Sequence, residues 1–177
     1  MKSRRVFSLG QISRAVAFAA VSGALVFGSA AADEPISAVT SEQLEEVLTQ
    51  AGLSPTMLAD ATSGAPVANG RAGDISFFVR GLSCSGTPAA CSNLVFFANF
   101  ALGRAATAGD FRTVNGFNDG QVFGRAYVLD KSDQVGVDYV IELDGGVTRS
   151  HLTQNVSRWA DVIAAFVDTF SKGEPAS

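Results

Sequence analysis

The stretch "DISFFVRGLSCSGTPAACSNLVFFANFAL", residues 74–102, sets two Phe- and Val-rich runs on either side of a polar, Gly- and Pro-bearing segment. Alternation in the first run puts Ile75, Phe77 and Val79 on one face of an extended strand, and Leu94, Phe96, Ala98 and Phe100 do the same in the second. The opposite faces carry Phe78 in one run and Val95 and Phe97 in the other. Strands that are apolar on both faces are central in a sheet or face a partner. Phe78, Val95 and Phe97 are therefore the candidate binding surface. Two strands flanking the eight-residue segment "CSGTPAAC" also bring Cys84 and Cys91, the only cysteines, face to face. A non-hydrogen-bonded antiparallel pair offers about the Cα separation that a disulfide needs.

Whether that pair closes depends on the compartment, and the other end of the chain speaks to it. "MKSRRVFSLGQISRAVAFAAVSGALVFGSAAADEP" has a basic start, an apolar middle and a small-residue exit, the anatomy of an export signal over residues 1–32. Ala30-Ala31-Ala32 supplies a cleavage site before Asp33. Within it "SRRVFSL" (Ser3 to Leu9) resembles the twin-arginine consensus, and an ordinary secretory signal is the alternative reading. Both lead out of the cytoplasm, to the periplasm or beyond the cell. Ala15 to Ala32 approaches the length of a membrane span, but Ser22, Gly23, Gly28 and Ser29 weaken that reading, and no stable anchor is expected once the signal is cut. In an oxidising compartment Cys84 and Cys91 should form a structural disulfide. A redox-active pair usually has two intervening residues at a helix start, which this pair lacks.

Residues 1–32 hold four of the thirteen basic residues and none of the seventeen acidic ones, so the mature chain carries a net charge of −8. Such a domain repels phosphate backbones and anionic headgroups, and no Lys or Arg cluster interrupts it, which speaks against nucleic acid as a partner. Residues 33–177 have the size of one domain, with loose ends at Asp33 to Ala38 and Ser171 to Ser177.

Working outward from the central hairpin, Thr40 and Gln43 form a capping box ahead of Leu44, Val47, Leu48 and Ala51 at helical spacing, and Gly52 stops that helix. Short strands follow around Thr56 to Thr62 and Val67 to Arg71. Beyond the hairpin, Thr107 to Asn118 reads as a helix with Phe111, Val114 and Phe117 inward. "VFGRAYVLD" (122–130) and "QVGVDYVIELD" (134–144) make a second hairpin across Lys131-Ser132-Asp133, with Val137, Tyr139, Ile141 and Leu143 on one face. A long helix capped by Thr148 or Ser150 carries Leu152, Val156, Trp159, Ile163, Phe166 and Phe170 on one stripe, a buried face. The order α-β-β-β(-β)-α-β-β-α lacks the strand-helix alternation of a parallel sheet, so the expected fold class is α+β, an antiparallel sheet with packed helices.

Candidate chemistry is sparse. Ser150 and His151 beside a carboxylate suggest a nucleophile and base, yet adjacent helical side chains diverge. Asp130, Ser132 and Asp133 suggest a calcium loop, but Gly136 is misplaced and Ile141 stands where a bidentate Glu belongs. Gly116, Gly120 and Gly124 lack the Lys and Ser or Thr of a phosphate cradle. Asp138 and Glu142 lie outward with Val140 on a strand, and a solvated face accounts for them. No metal site and no cofactor motif emerges.

The capped first helix, "FRTVNGFNDGQVFGRAYV" and "ELDGGVTRSHLTQNVSRWADVIAAF" together resemble the YbjN-domain family over about Thr40 to Phe170. The most specific elements are Phe117 and Asn118, then Phe123, Gly124, Arg125 and Tyr127, and the acidic-Gly-Gly turn at Gly145 and Gly146 leading to the helix that bears Trp159. The resemblance implies a fold like that of small type III secretion chaperones, with these motif residues structural, and no catalytic residues to carry over. The expected function is a non-enzymatic periplasmic protein-binding, chaperone-like or regulatory module, its partner another polypeptide or its own copy as a homodimer. The alternative is a cell-envelope hydrolase or small-ligand carrier.

Overall fold

The computed structural model describes residues 34–129 and 133–173, all within a unit spanning Ala32–Ser177. The expected export signal, and Asp130, Lys131 and Ser132 of the second hairpin's turn, lie outside the described residues.

Helix α1 (Ser41–Gln50) begins at the expected capping box: the Gln43 amide donates to the Thr40 hydroxyl (3.3 Å) and the Thr40 amide to the Gln43 side-chain carbonyl (2.9 Å). Leu44, Val47 and Leu48 form its buried stripe. Four strands follow, β1 (Thr56–Ala59), β2 (Pro66–Ala72), β3 (Ile75–Ser85) and β4 (Ala90–Ala101). Then come α2 (Ala108–Gly120), β5 (Arg125–Val128), β6 (Gln134–Glu142) and α3 (Arg149–Gly173). The strands form one antiparallel sheet in the order β1-β2-β3-β4-β6-β5, which places the Phe-rich β3 and β4 at its centre. The fold is α+β as expected, and the optional strand is present.

Alternation decides which side of the sheet the helices cover. Phe77 and Val79, Leu94, Phe96 and Ala98, and Val135, Val137, Tyr139 and Ile141 all point to one side and are buried with the stripes of the three helices. Trp159 on α3 is fully buried, with ring centroids 5.9 Å from both Phe77 and Phe96. α3 starts on Thr148, whose hydroxyl accepts from the His151 amide (3.1 Å), so Thr148 rather than Ser150 supplies this cap contact. Among the described residues no helix is long and apolar enough to cross a membrane.

Two expectations are corrected. Phe111 does not point inward and is 53% exposed; the buried residues of α2 are Asp110, Val114 and Phe117. Both Asp110 and Phe111 lie within a turn of Val114, and the contest is settled electrostatically. The Asp110 carboxylate receives both terminal nitrogens of Arg104 (2.7 and 2.9 Å) and the amide and hydroxyl of Thr107 (2.7 and 2.8 Å), which rotates Asp110 inward and Phe111 out. The second hairpin also starts later than Val122. Gly124 has φ +81°, outside the extended region, so pairing begins at Arg125, and Val122 is left 87% exposed.

The two margins of the sheet differ. At β5 the outward N–H of Ala126 donates to Asn118 Oδ1 (2.7 Å), and its C=O accepts from Asn118 Nδ2 (3.1 Å). A helix side chain thus occupies hydrogen-bonding groups that a further strand would need. At the other margin, β1 pairs with β2 alone among the described strands.

Candidate functional site

Residues paired across neighbouring strands share a face, so the register spells out the side of the sheet that the helices leave uncovered. One row runs Leu58, Val67, Arg80, Val95 and Val140 across β1, β2, β3, β4 and β6. The next runs Asn69, Phe78, Phe97, Asp138 and Arg125, ending on β5. The three candidate binding residues, Phe78, Val95 and Phe97, therefore stand together at the middle of this outer face. Phe78 and Phe97 stack across the strands with centroids 5.7 Å apart and planes 23° apart, each half-buried by the other. Leu58 and Val140 are 49% and 54% exposed, and Leu82 beyond the row is 42% exposed.

Two charged pairs lie within this face: Arg80 stands between Val67 and Val95, and Asp138 follows Phe97. Arg80 reaches Asp60 (3.4 Å), whose carboxyl is held below the usual range by the Ser63 amide and hydroxyl and the Thr62 amide, with a contribution from Arg80. Arg125 grips Asp138 with two hydrogen bonds (3.2 and 2.5 Å), which raises the guanidinium's affinity for its proton. Beside it the Tyr127 ring lies over Gly136, where a Cβ would come within 2.5 Å of the ring, and the Tyr127 hydroxyl donates to Asn99 Oδ1 (2.8 Å). Burial, then the Asp138 charge, pushes the Tyr127 phenol up. Apolar side chains interspersed with satisfied polar pairs are compatible with a protein-docking surface.

Cys84 and Cys91 are joined by a disulfide across the β3–β4 ladder, at the end of the hairpin. Cys91 is also bridged by backbone hydrogen bonds to Val39 (3.0 and 2.9 Å), so the disulfide anchors the segment leading into α1.

The remaining motif residues serve several structural roles. Phe117 packs edge-on against Phe166, and Asn118 holds Ala126 as described. Phe123 lies edge-on to Tyr139 beneath the Arg158 guanidinium, 4.2 Å from its ring centroid. The Tyr139 hydroxyl in turn donates to the buried Asn155 Oδ1, which also accepts from Arg158 (2.8 Å). A Cβ on Gly124 would come 2.5 Å from Val162 Cγ1. Gly145 and Gly146, both with φ above +80°, turn the chain between β6 and α3, and Gly146 abuts Pro35. Only Arg125 and Tyr127 of this set reach the outer face.

The residues weighed for catalysis do not assemble into a site. His151 is exposed on the first turn of α3, and Asp138 is engaged by Arg125 on the far side of the sheet from the helices. Leu58 and Val67 belong to the outer strip although sequence reading did not single them out. The alternation of β2 carried a signal for Val67, but only the cross-strand register joins either residue to Val95.

The chain matches the family YbjN, described as "Putative bacterial sensory transduction regulator", over residues 40–172. No curated protein matches it. Among solved structures, YbjN from E. coli, described as "a putative transcription regulator", superposes with a TM-score of 0.56 at 11% identity, covering 78% of this chain and 95% of that chain. That identity speaks to fold alone, and the fold agrees with the family match over most of the sequence: the chain belongs to the YbjN family.

Proposed function

We propose that this protein is a non-enzymatic regulatory or chaperone-like module that holds another polypeptide, or a second copy of itself, on the outer face of its sheet. The observation that carries this reading is the strip Leu58, Val67, Val95 and Val140 beside the stacked Phe78 and Phe97, on a face that the three helices leave uncovered. Exposed apolar side chains grouped on one uncovered sheet face, around the Arg80–Asp60 pair, favour an interaction site. The family's description as a regulator is in keeping with work done by contact with other macromolecules. The export-signal pattern of residues 1–32 and the Cys84–Cys91 disulfide favour the periplasm as the place where this happens.

The test is native mass measurement of the full chain taken from a periplasmic extract without reduction. An assembly with a polypeptide is expected for the wild type and a bare monomer for Phe97→Glu, with far-ultraviolet circular dichroism unchanged. A wild-type chain that is monomeric in the extract would remove the reading.

A further inference from the structure

On the helix side of the sheet, away from the outer face, lies a cleft of about 640 Å³ between the end of β4, the start of β6, the first turns of α2 and the last turns of α3. Its apolar wall is built from Phe100, Leu102, Val135, Phe166, Val167 and Phe170. The three rings run in a chain, Phe100 to Phe166 at 5.3 Å and Phe166 to Phe170 at 4.7 Å between centroids. Only the middle ring is sealed; Phe100 and Phe170 remain half-buried, with surface toward solvent. A concavity of this size falls within the roughly 300–1,000 Å³ typical of small-molecule sites.

The rim decides what chemistry the cleft accepts. Its cation, Arg104, is bound bidentately by Asp110 (2.7 and 2.9 Å) and donates to the Ala105 carbonyl (3.2 Å). Asp110 is itself saturated by Arg104 and Thr107. The Thr113 hydroxyl donates to the Gly109 carbonyl (3.2 Å), and that of Ser171 to the Asp168 carbonyl (3.0 Å). These hydrogen bonds and the ion pair are made within the protein, so an anion entering the cleft would lose its water and meet a cation already neutralised. An uncharged apolar molecule gains burial against rings and methyls without such a cost.

We propose that this cleft is a binding site for an uncharged, largely apolar small molecule with an aromatic or acyl body, seated on Phe100, Phe166 and Phe170. The site is separate from the outer docking face and operates whether or not that face holds a polypeptide. Ligand seated here touches both α2 and α3, the helix that also carries Trp159 into the core.

The test uses the full chain and two fluorescent probes, neutral N-phenyl-1-naphthylamine and anionic 8-anilinonaphthalene-1-sulfonate. The neutral probe is expected to bind saturably, one per chain, and at least about tenfold more tightly than the anionic one, a gap worth about 1.4 kcal/mol. Filling the cleft from either wall, with Val167→Trp on α3 or Thr113→Phe on α2, should weaken the neutral probe about tenfold or more in whichever variant keeps the wild-type circular dichroism. Phe97→Glu, on the outer face, should leave it unchanged. The inference is overturned if the wild type binds no neutral probe saturably, if folded cleft-filling variants bind it as well as the wild type, or if Phe97→Glu abolishes binding, which would place the probe on the outer face.

Discussion

Phe96 and Phe97 are neighbours in sequence with opposite fates: Phe96 is fully buried against Trp159, while Phe97 is half-buried and stacks on Phe78 on the uncovered face. Truncation should separate them. Phe96→Ala is expected to cost about 3–5 kcal/mol, the range for emptying a packed core site. Phe97→Ala should cost about 1 kcal/mol, because water already reaches that ring. Urea unfolding of the two variants measures the difference, and equal losses would mean that Phe97 is core rather than surface.

The Asn118 side chain holds the Ala126 backbone by two hydrogen bonds. Asn118→Ala should destabilise the fold by about 1–3 kcal/mol, since it strands a donor and an acceptor at once. Hydrogen exchange locates the effect: the Ala126 amide should exchange much faster in the variant, while the amides of β3 change little.

Asp110 is held well below its usual proton affinity, chiefly by the Arg104 hydrogen bonds and, against the opposing effect of burial, by Thr107. Its folded value lies below the unfolded value of about 3.9, so its contribution is complete above about pH 4 and fades as pH falls from there toward the folded value. Asp110→Asn should lower stability at about pH 7 by about 2 kcal/mol, a figure kept modest because Arg104 is half-exposed. The variant's denaturation midpoint should also vary less with pH below about 4 than that of the wild type. Midpoints measured from neutral to acid pH for both proteins decide it.

Replacing Cys84 and Cys91 by Ser should cost about 2.5 kcal/mol from the released loop entropy of the unfolded chain. Because Cys91 also bridges Val39, the loss should extend into the segment ahead of α1, with faster exchange of the Val39 amide. Thermal unfolding with and without reductant gives the first figure, and exchange gives the second.

Trp159 Nε1 has no hydrogen-bond partner among the described residues. Trp159→Phe therefore breaks no hydrogen bond and should cost about 1–3 kcal/mol from lost packing alone, whereas Trp159→Ala should cost about 3–5 kcal/mol. Because both variants lack the only tryptophan, urea unfolding followed by far-ultraviolet circular dichroism measures the two losses against the wild type.

What was legible in the sequence follows from period and local chemistry. The capping box at Thr40 and Gln43, the α3 stripe from Leu152 to Phe166, and the alternation from Val137 to Leu143 concern residues within a few positions of each other, and each appears where the pattern put it. The element order followed from these, and the family resemblance agreed with it. Other features were missed. Asp110 displaced Phe111 from the interior because it closes a capping box with Thr107 and binds Arg104 six residues upstream, a local signal that helical spacing alone passes over when it treats the two positions as near equals. The outer strip joins Leu58, Val67, Val95 and Val140 only through the register of five strands, and the cleft gathers residues from four elements, neither of which a one-dimensional pattern encodes.

The asymmetry between the two margins of the sheet has a bearing on stoichiometry. With Asn118 occupying the Ala126 backbone on β5, β1 is the less obstructed margin among the described strands. Two copies meeting there would satisfy each other about a twofold axis and leave no margin for a third. Edge pairing of this kind would end at two copies.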